Sequence, residues 1–391
     1  MKVLVISPKF HPVIGGGETY VLNSVKQLHQ AGIDVSIAVE PNAQRNTSNY
    51  PYPVFEIVGL SDDALDVTKA TAGLHKLIES VQPDVIHVHG YYALLIIGLC
   101  GYHDIPVVAS VHSTPVWGER IVGGMNSFEA ELQFARGVLD VSRPAILTAA
   151  NKVYSDAAKK IAQHRVAVKT MPYPVDIGHF YDQTDQKMRT EFGLGDKDIL
   201  VMTPSRIIER KGIKEAVLAL AKLPDNFYLC LPGAFEPLDK DYWESVVSCP
   251  EYKRVTKRII VPNRKLLYDD MPYLYAASDI IAMPSYYEGA PVATVEAMAS
   301  GKPFVGADSQ GINSFIRHQE NGLLVPAKST AQLADAILAI SQNSPLQQQL
   351  TSQALKDIQY LSWSTQLAAI IAMYQRAIIL KQPAEQLVEV S

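Results

Sequence analysis

Short aliphatic runs closed by turn residues recur along the whole chain, with longer amphipathic stretches between them. They include Lys2-Val-Leu-Val-Ile6, Val85-Ile-His-Val-His89, Val107-Val-Ala-Ser-Val111, Ile199-Leu-Val-Met-Thr203 and Asp279-Ile-Ile-Ala-Met283. A strand that is apolar on both faces must be covered on both, and helices returning to the same edge of a parallel sheet do this. At 391 residues the chain is long enough for two such domains, each with a sizeable core. The expected fold class is therefore α/β. The division is placed near residues 176–195, where Tyr173-Pro-Val-Asp176 gives way to the polar run Asp182-Gln-Thr-Asp-Gln-Lys187 and then Gly193-Leu-Gly195. No repeat or low-complexity tract interrupts the pattern.

The most telling chemistry lies in Ser285-Tyr-Tyr-Glu-Gly-Ala-Pro-Val-Ala-Thr-Val-Glu296, which follows a strand-like run and enters an Ala-rich helix ending at Gly301-Lys-Pro303. Two carboxylates, Glu288 and Glu296, stand eight residues apart, a little over two helical turns, so they can lie on one side. The helix N-terminus between them offers free N–H groups and a positive dipole end, which suit a phosphate. Hydroxyls on either side of that phosphate could then meet one glutamate each. A nucleoside diphosphate sugar has this layout. The bland alternative is a surface helix with two solvated glutamates.

A second element weighs against the bland reading. Behind Ile199–Thr203 comes Pro204-Ser-Arg206-Ile-Ile-Glu-Arg-Lys211-Gly212 and a helix. Arg206 and Lys211 flank this strand-to-helix turn, where a guanidinium fork and an ammonium point charge can clamp two phosphates.

With these residues in place, the chain resembles the retaining family 4 glycosyltransferases of the GT-B fold. That family carries Arg-x4-Lys-Gly at the start of its second domain and Glu-x7-Glu near its end, matched here by Arg206…Lys211-Gly212 and Glu288…Glu296. The opening Lys2–Pro8 followed by Pro12-Val-Ile-Gly15-Gly16-Gly17-Glu18 is similar to the family's glycine-rich first loop. Pro174-Val-Asp176-Ile-Gly-His-Phe180 resembles its interdomain crossing. Trp363-Ser364 before an apolar helix resembles its last helix, which returns to the first domain.

The resemblance implies two Rossmann-like domains with parallel sheets facing a cleft. Residues 1–176 form the acceptor-side domain, completed by a helix over 364–380. Residues 177–363 form the donor side, and 381–391 a loose tail. It implies a donor site of Gly15, Gly16, Gly17, Arg206, Lys211, Gly233, Lys265, Leu266, Glu288, Gly289, Ala290, Pro291, Val292, Ala293 and Glu296. His112, which ends a strand-like run, is implied to face the transferred sugar; His112, Glu288, Arg206 and Lys211 form the catalytic set. Glu288 orients the sugar and Glu296 holds the ribose. The family needs no metal, because the helix N-terminus, Arg206 and Lys211 neutralise the departing diphosphate.

Glycine permits positive φ and close backbone approach, so Gly15–Gly17 are expected to bring N–H groups to the donor phosphate. The loop is not Gly-x-Gly-x-x-Gly, because position 20 is Tyr, which disfavours a dinucleotide-binding dehydrogenase. His87 and His89 share a strand face but lack the further ligands of a metal site, and read as structural or acceptor-side. The region from Ser113 to Arg143, with Trp117, Arg120, Met125 and Asn126, is expected to shape the acceptor site. Two places depart from the family pattern. Ile259-Ile-Val-Pro-Asn-Arg264 lacks the usual aromatic and glycine, which weakens the base contact expected around Lys265 and Leu266. Tyr173 stands where the family commonly has Asn, which is expected to alter the interdomain crossing.

Charge and cysteine use narrow the partners. Lys and Arg total 35 against 40 Asp and Glu, a net charge of −5, and nucleic acid is excluded as a partner on that balance. The cluster Lys159–Arg165 is a candidate for weak contact with anionic lipid, with a solvated face as the alternative. Cys100, Cys230 and Cys249 have no metal-ligand spacing and read as reduced packing residues of a cytoplasmic protein, peripheral at most to the inner face of a membrane. The N-terminal run is too short for a signal peptide. No apolar run approaches the ~20 residues of a membrane span, and Ala93–Cys100 is expected to be a buried helix.

The expected function is retaining transfer of a sugar from a UDP- or GDP-linked donor to a hydroxyl of a sugar, lipid-linked or small-molecule acceptor, without cofactor. The alternatives are a GT-B nucleotide-sugar epimerase and an inactive nucleotide-sugar-binding protein. Oligomeric state and pathway are not legible.

Overall fold

The computed structural model describes residues 1–13, 15–112, 125–184, 186–289 and 291–381. They divide into two compact units, Met1–Tyr173 with the segment from Trp363 onward, and Pro174–Ser362.

The first unit holds strands β1 (Lys2–Ile6), β2 (Asp34–Val39), β3 (Val54–Glu56), β4 (Val85–His89), β5 (Val107–Val111), β6 (Ile146–Ala149) and β7 (Ala167–Thr170). They form one sheet in the order β3-β2-β1-β4-β5-β6-β7, parallel throughout, with Val5 opposite Ile37 on one side and His87 on the other. Side chains alternate across the sheet, so β1 supplies both faces. Leu4 and Ile6 pack with Ile86, Val88 and the helices Val67–Val81 and Tyr91–Cys100. Val3 and Val5 pack with Ile37, Val85, Val108 and the helix Gly16–Gln30.

The last helix, Trp363–Lys381, belongs to this unit. Its buried positions Trp363, Gln366, Ile370, Met373, Tyr374 and Ala377 fall on one face at helical spacing. They complete the core of the Val3 side. The helix includes Trp363, one residue earlier than the expected start.

The second unit holds β8 (Ile199–Met202), β9 (Phe227–Cys230), β10 (Ile259–Ile260), β11 (Ile280–Met283), β12 (Phe304–Ala307) and β13 (Leu323–Val325), in the order β10-β9-β8-β11-β12-β13. This order repeats that of the first six strands. Val201, Ile280, Ala282 and Val305 pack under the helices Ile213–Leu220 and Thr330–Ser341. Leu200, Met202, Ile281, Met283 and Phe304 pack under Met271–Ala277 and Val292–Ala299.

In each unit the chain order reverses at one place, between β1 and β4 and between β8 and β11. Crossovers on the two sides of such a point leave to opposite faces, and the crevice at the strands' carboxyl ends is where open α/β sheets bind ligands. The cysteines are free, with Cys100 and Cys230 buried. Among the described residues no helix is long and apolar enough to cross a membrane.

Candidate active site

In the second unit, the loops leaving β8 and β11 meet at the reversal point. The chain leaves β8 through Thr203 and Pro204 and forms an isolated bridge between Arg206 and Gly233, just beyond β9. A Cβ on Gly233 would lie 2.2 Å from the Ser205 carbonyl oxygen, so the glycine is required by the backbone contact between these loops. A 3-10 turn, Glu209–Lys211, follows and ends at Gly212 with φ +66. There a Cβ would lie 2.2 Å from the Pro284 carbonyl oxygen. Gly212 thus serves twice, turning the chain left-handed and letting it press against the loop after β11.

That approach brings cations onto Glu288. The carboxylate is 3% exposed; it accepts from Lys211 Nζ on Oε1 at 2.5 Å and from Arg210 Nη1 on Oε2 at 3.2 Å. Arg210 also donates to the Tyr287 carbonyl at 3.1 Å, and its guanidinium lies 5.2 Å from the Tyr287 ring centre. The Tyr286 N–H donates to the Arg210 carbonyl at 2.8 Å. Burial pushes the Glu288 carboxyl up, but the Lys211 and Arg210 charges outweigh it and hold it below its ordinary value. Lys211 moves the other way from what its partner alone would give. Burial pulls its ammonium down, Glu288 offsets only part of this, and Arg210 and Arg206 add repulsion. Lys211 thus shares its one carboxylate partner with Arg210.

Arg206 is exposed, and among the described residues its side chain has no hydrogen bond or ion pair. Its charge is nevertheless felt at Lys211. The structure therefore brings Lys211 and Glu288 together and leaves Arg206 open to solvent beside them. Arg210 was missed in the sequence, where it is one more basic residue before Lys211.

Glu296 sits apart from this cluster. The helix begins at Val292, so Glu288 lies in the preceding loop and Glu296 within the helix, with the helix N-terminus between them. Pro291 is the N-cap and supplies no side-chain cap, which leaves the N–H groups of Val292 and Ala293 free of helical partners. Glu296 turns to the neighbouring helix, where Tyr275 Oη lies 3.0 Å from Oε2 and 3.2 Å from the Ala293 carbonyl. Burial raises its carboxyl to about 7, with the Tyr275 bond offsetting part of the rise. Gly289 is half-buried beside Glu288; Ala290 lies outside the described residues. Lys265 is exposed and pairs with Glu236 at 2.9 Å, while the half-buried Leu266 packs on the core beneath.

In the first unit, His112 follows β5 and both its ring nitrogens are engaged. Nε2 lies 2.7 Å from His89 Nδ1, and Nδ1 forms a short hydrogen bond with the Tyr173 hydroxyl. Tyr20 stacks on Tyr173 at 4.7 Å. His87, next on the β4 face, is closed off by Tyr374 Oη at 2.8 Å and Ser110 Oγ at 2.7 Å. Burial lowers His87 to about 3, and His89 falls well below its ordinary range. His112 keeps some exposed surface, yet the groups packed round it lower it to about 4. All three imidazoles are neutral near pH 7. His89 Nε2 is buried without a partner, whichever way the chain of donors runs. Tyr173, expected to matter for the interdomain crossing, is a partner of His112.

The glycine-rich loop forms a helix N-terminus. Gly15 is extended at φ −175 and caps the helix, and Gly16 and Gly17 form its first turn. None of the three uses positive φ. Gly17 instead faces His112, where a Cβ would lie 3.9 Å from the ring. Of the acceptor-side residues, Trp117 and Arg120 lie outside the described residues. Met125 and Asn126 open the helix Met125–Ser142. In the basic cluster, Lys159 and Arg165 pair with Asp156 and Asp140. Among the described residues no group of three His, Cys, Asp or Glu side chains is arranged to hold a metal.

Two parallel doubly wound units, with the last helix returned to the first, are the architecture of GT-B glycosyltransferases. Comparison with known proteins agrees. The model of glycosyl transferases group 1 matches residues 184–357, and that of glycosyltransferase family 4 matches residues 14–162. D-inositol 3-phosphate glycosyltransferase of Mycobacteroides abscessus is 25% identical over 93% of this chain and 85% of its own. Sucrose-phosphate synthase from Thermosynechococcus elongatus superposes with a TM-score of 0.79 at 18% identity, covering 97% of this chain and 99% of that one. Anabaena HepE in complex with UDP-glucose gives 0.77 at 18%, covering 96% and 99%. The chain belongs to the family 4-like glycosyltransferases of the GT-B fold.

Proposed function

We propose that the protein transfers a sugar, with retention, from a nucleoside diphosphate sugar to an acceptor hydroxyl. The observation that carries this reading is the cationic loop Arg206–Lys211 bonded to the buried Glu288 at the reversal point of the second sheet. Arg206 and Lys211 take the diphosphate, joined by the free N–H groups of Val292 and Ala293. Glu288 accepts from sugar hydroxyls and Glu296 from the ribose. Lys265 and Leu266 flank the base through their backbone. His112 supports the sugar, and its ring must release His89 or Tyr173 to offer a nitrogen.

In the reaction the acceptor oxygen bonds to the anomeric carbon from the face the diphosphate leaves. The bond from that carbon to the phosphate oxygen breaks, and the acceptor proton passes to the leaving phosphate. The two basic residues stabilise the charge that develops there, so no metal is required of the mechanism. UDP-linked donors are the first to test, since HepE is described with UDP-glucose.

The test is nucleotide release from UDP- and GDP-sugars, with and without acceptors, followed by NMR of the product. Acceptor-dependent release with the donor's anomeric configuration kept is expected. An inverted product would overturn the front-face mechanism, sugar isomerisation without an acceptor would indicate an epimerase, and binding without release an inactive protein. Glu288→Ala should lose most transfer yet still bind free nucleoside diphosphate, whereas Glu296→Ala should weaken the nucleotide itself.

A further inference from the structure

We propose that Arg210 is a positioning residue that keeps Glu288 ionised and in place when Lys211 leaves it for the donor phosphate. This rests on the reading of Glu288 as the sugar-orienting carboxylate and of Lys211 as a phosphate contact. Lys211 cannot serve both partners at full strength, because its ammonium already bonds Glu288 Oε1. A carboxylate that is 3% exposed and left with no cation at all takes up a proton instead. A protonated Glu288 would accept sugar hydroxyls less strongly.

Arg210 removes that difficulty because its hold does not pass through Lys211. It bonds the other oxygen, Oε2, at 3.2 Å, and three further contacts tie it to the same segment. Its guanidinium donates to the Tyr287 carbonyl, it lies over the Tyr287 ring, and its own carbonyl accepts the Tyr286 N–H. Among the described residues no other cation pairs with Glu288. The Ser285 hydroxyl, buried and without a bond of ordinary geometry, adds a smaller lowering influence. The Gln310 carbonyl accepts the Glu288 N–H and leaves the side chain alone. Arg206 acts on Lys211. Among the described residues Arg210 is thus the cation on Glu288 that the bound donor leaves in place.

The test combines a pH profile with a titration of the parent protein. In Arg210→Met, the acid limb of kcat/KM should move up by on the order of one pH unit. Its kcat should fall while affinity for free UDP holds within about threefold, and Arg210→Lys should bring most of the limb back. A purely structural residue would not move the limb. In the parent with UDP bound, carbon NMR of the Glu288 carboxyl should place its titration below the ordinary 4.5. This measurement decides the matter even if Arg210→Met does not fold. An unmoved acid limb in a folded Arg210→Met, or a Glu288 carboxyl above 4.5 with UDP bound, would overturn the inference alone, provided Glu288→Gln is inactive. Glu288→Gln transferring like the parent would overturn the reading of the site as well.

Discussion

Glu296 carries a burial cost that pH switches on, and Glu296→Gln measures it. The carboxyl is 9% exposed, and burial raises it from its ordinary 4.5 to about 7. An acid raised in the folded state binds its proton more tightly there than in the unfolded chain. Between pH 4.5 and about 7 the folded protein therefore holds more protons, and stability falls as pH rises through that window. At about 1.4 kcal/mol per pH unit, the loss reaches roughly 3 kcal/mol above the window and vanishes below it. Glutamine keeps the shape and an oxygen for Tyr275 but cannot ionise. The variant should match the parent near pH 4.5 and exceed it by roughly 3 kcal/mol near pH 8, read by urea unfolding at a series of pH values. Parallel stability curves for parent and variant would refute the raised carboxyl. The same group gives a functional readout. Ribose hydroxyls donating to Glu296 favour its charged form, so nucleotide binding near pH 7 should release part of a proton. Calorimetry in buffers of different ionisation heat measures that release, and Glu296→Gln should abolish it.

Arg206→Ala should weaken nucleoside diphosphate binding by about 1.5–3 kcal/mol without lowering stability, because the side chain it removes is exposed and unbonded; unchanged affinity in titration would remove Arg206 from the clamp. Lys211→Ala should weaken binding similarly and also lower the melting temperature, since it strips one cation from a buried carboxylate. Tyr173→Phe removes the hydroxyl from His112 Nδ1 and should change the nitrogen NMR signature of the His112 and His89 rings together; a change confined to His112 would contradict the coupled chain. Transfer should survive EDTA, and loss restored by manganese or magnesium would show that the basic loop does not suffice for the leaving diphosphate.

The sheets were legible because a strand buried on both faces must be written as a continuous aliphatic run. Val85–His89, Val107–Val111, Ile199–Met202 and Ile280–Met283 are such runs. The three-residue strands Val54–Glu56 and Leu323–Val325 are too short to carry a period and take their place from the neighbour they pair with. The spacing of Arg206, Lys211, Glu288 and Glu296 was legible for a similar reason, since each pair lies within one loop and helix entry. What those residues touch was not. The partners of Glu288 come from 77 and 78 residues away, and nothing in Glu-Arg-Lys-Gly marks Arg210 over its neighbours.

The histidines show where a signal existed and how far it reached. His87 and His89 occupy alternate positions of β4 and so share a face, and the register sets His89 opposite Ser110, two residues before His112. That much brings His89 and His112 to one sheet edge. The closing partners do not follow from it. Tyr173 reaches His112 across 61 residues and Tyr374 reaches His87 across 287. The consequence is physical: His87 has both nitrogens satisfied and is fixed, whereas the pair His89 and His112 ends on a buried nitrogen with no partner. Either chain can reverse its direction of donation, because hydroxyls both give and accept, but only the open-ended one keeps a ring nitrogen for a new partner. Of the three histidines, the two at the edge of β4 and β5 are therefore the ones whose tautomers an arriving hydroxyl can set, and the substitution of Tyr173 reads out that freedom.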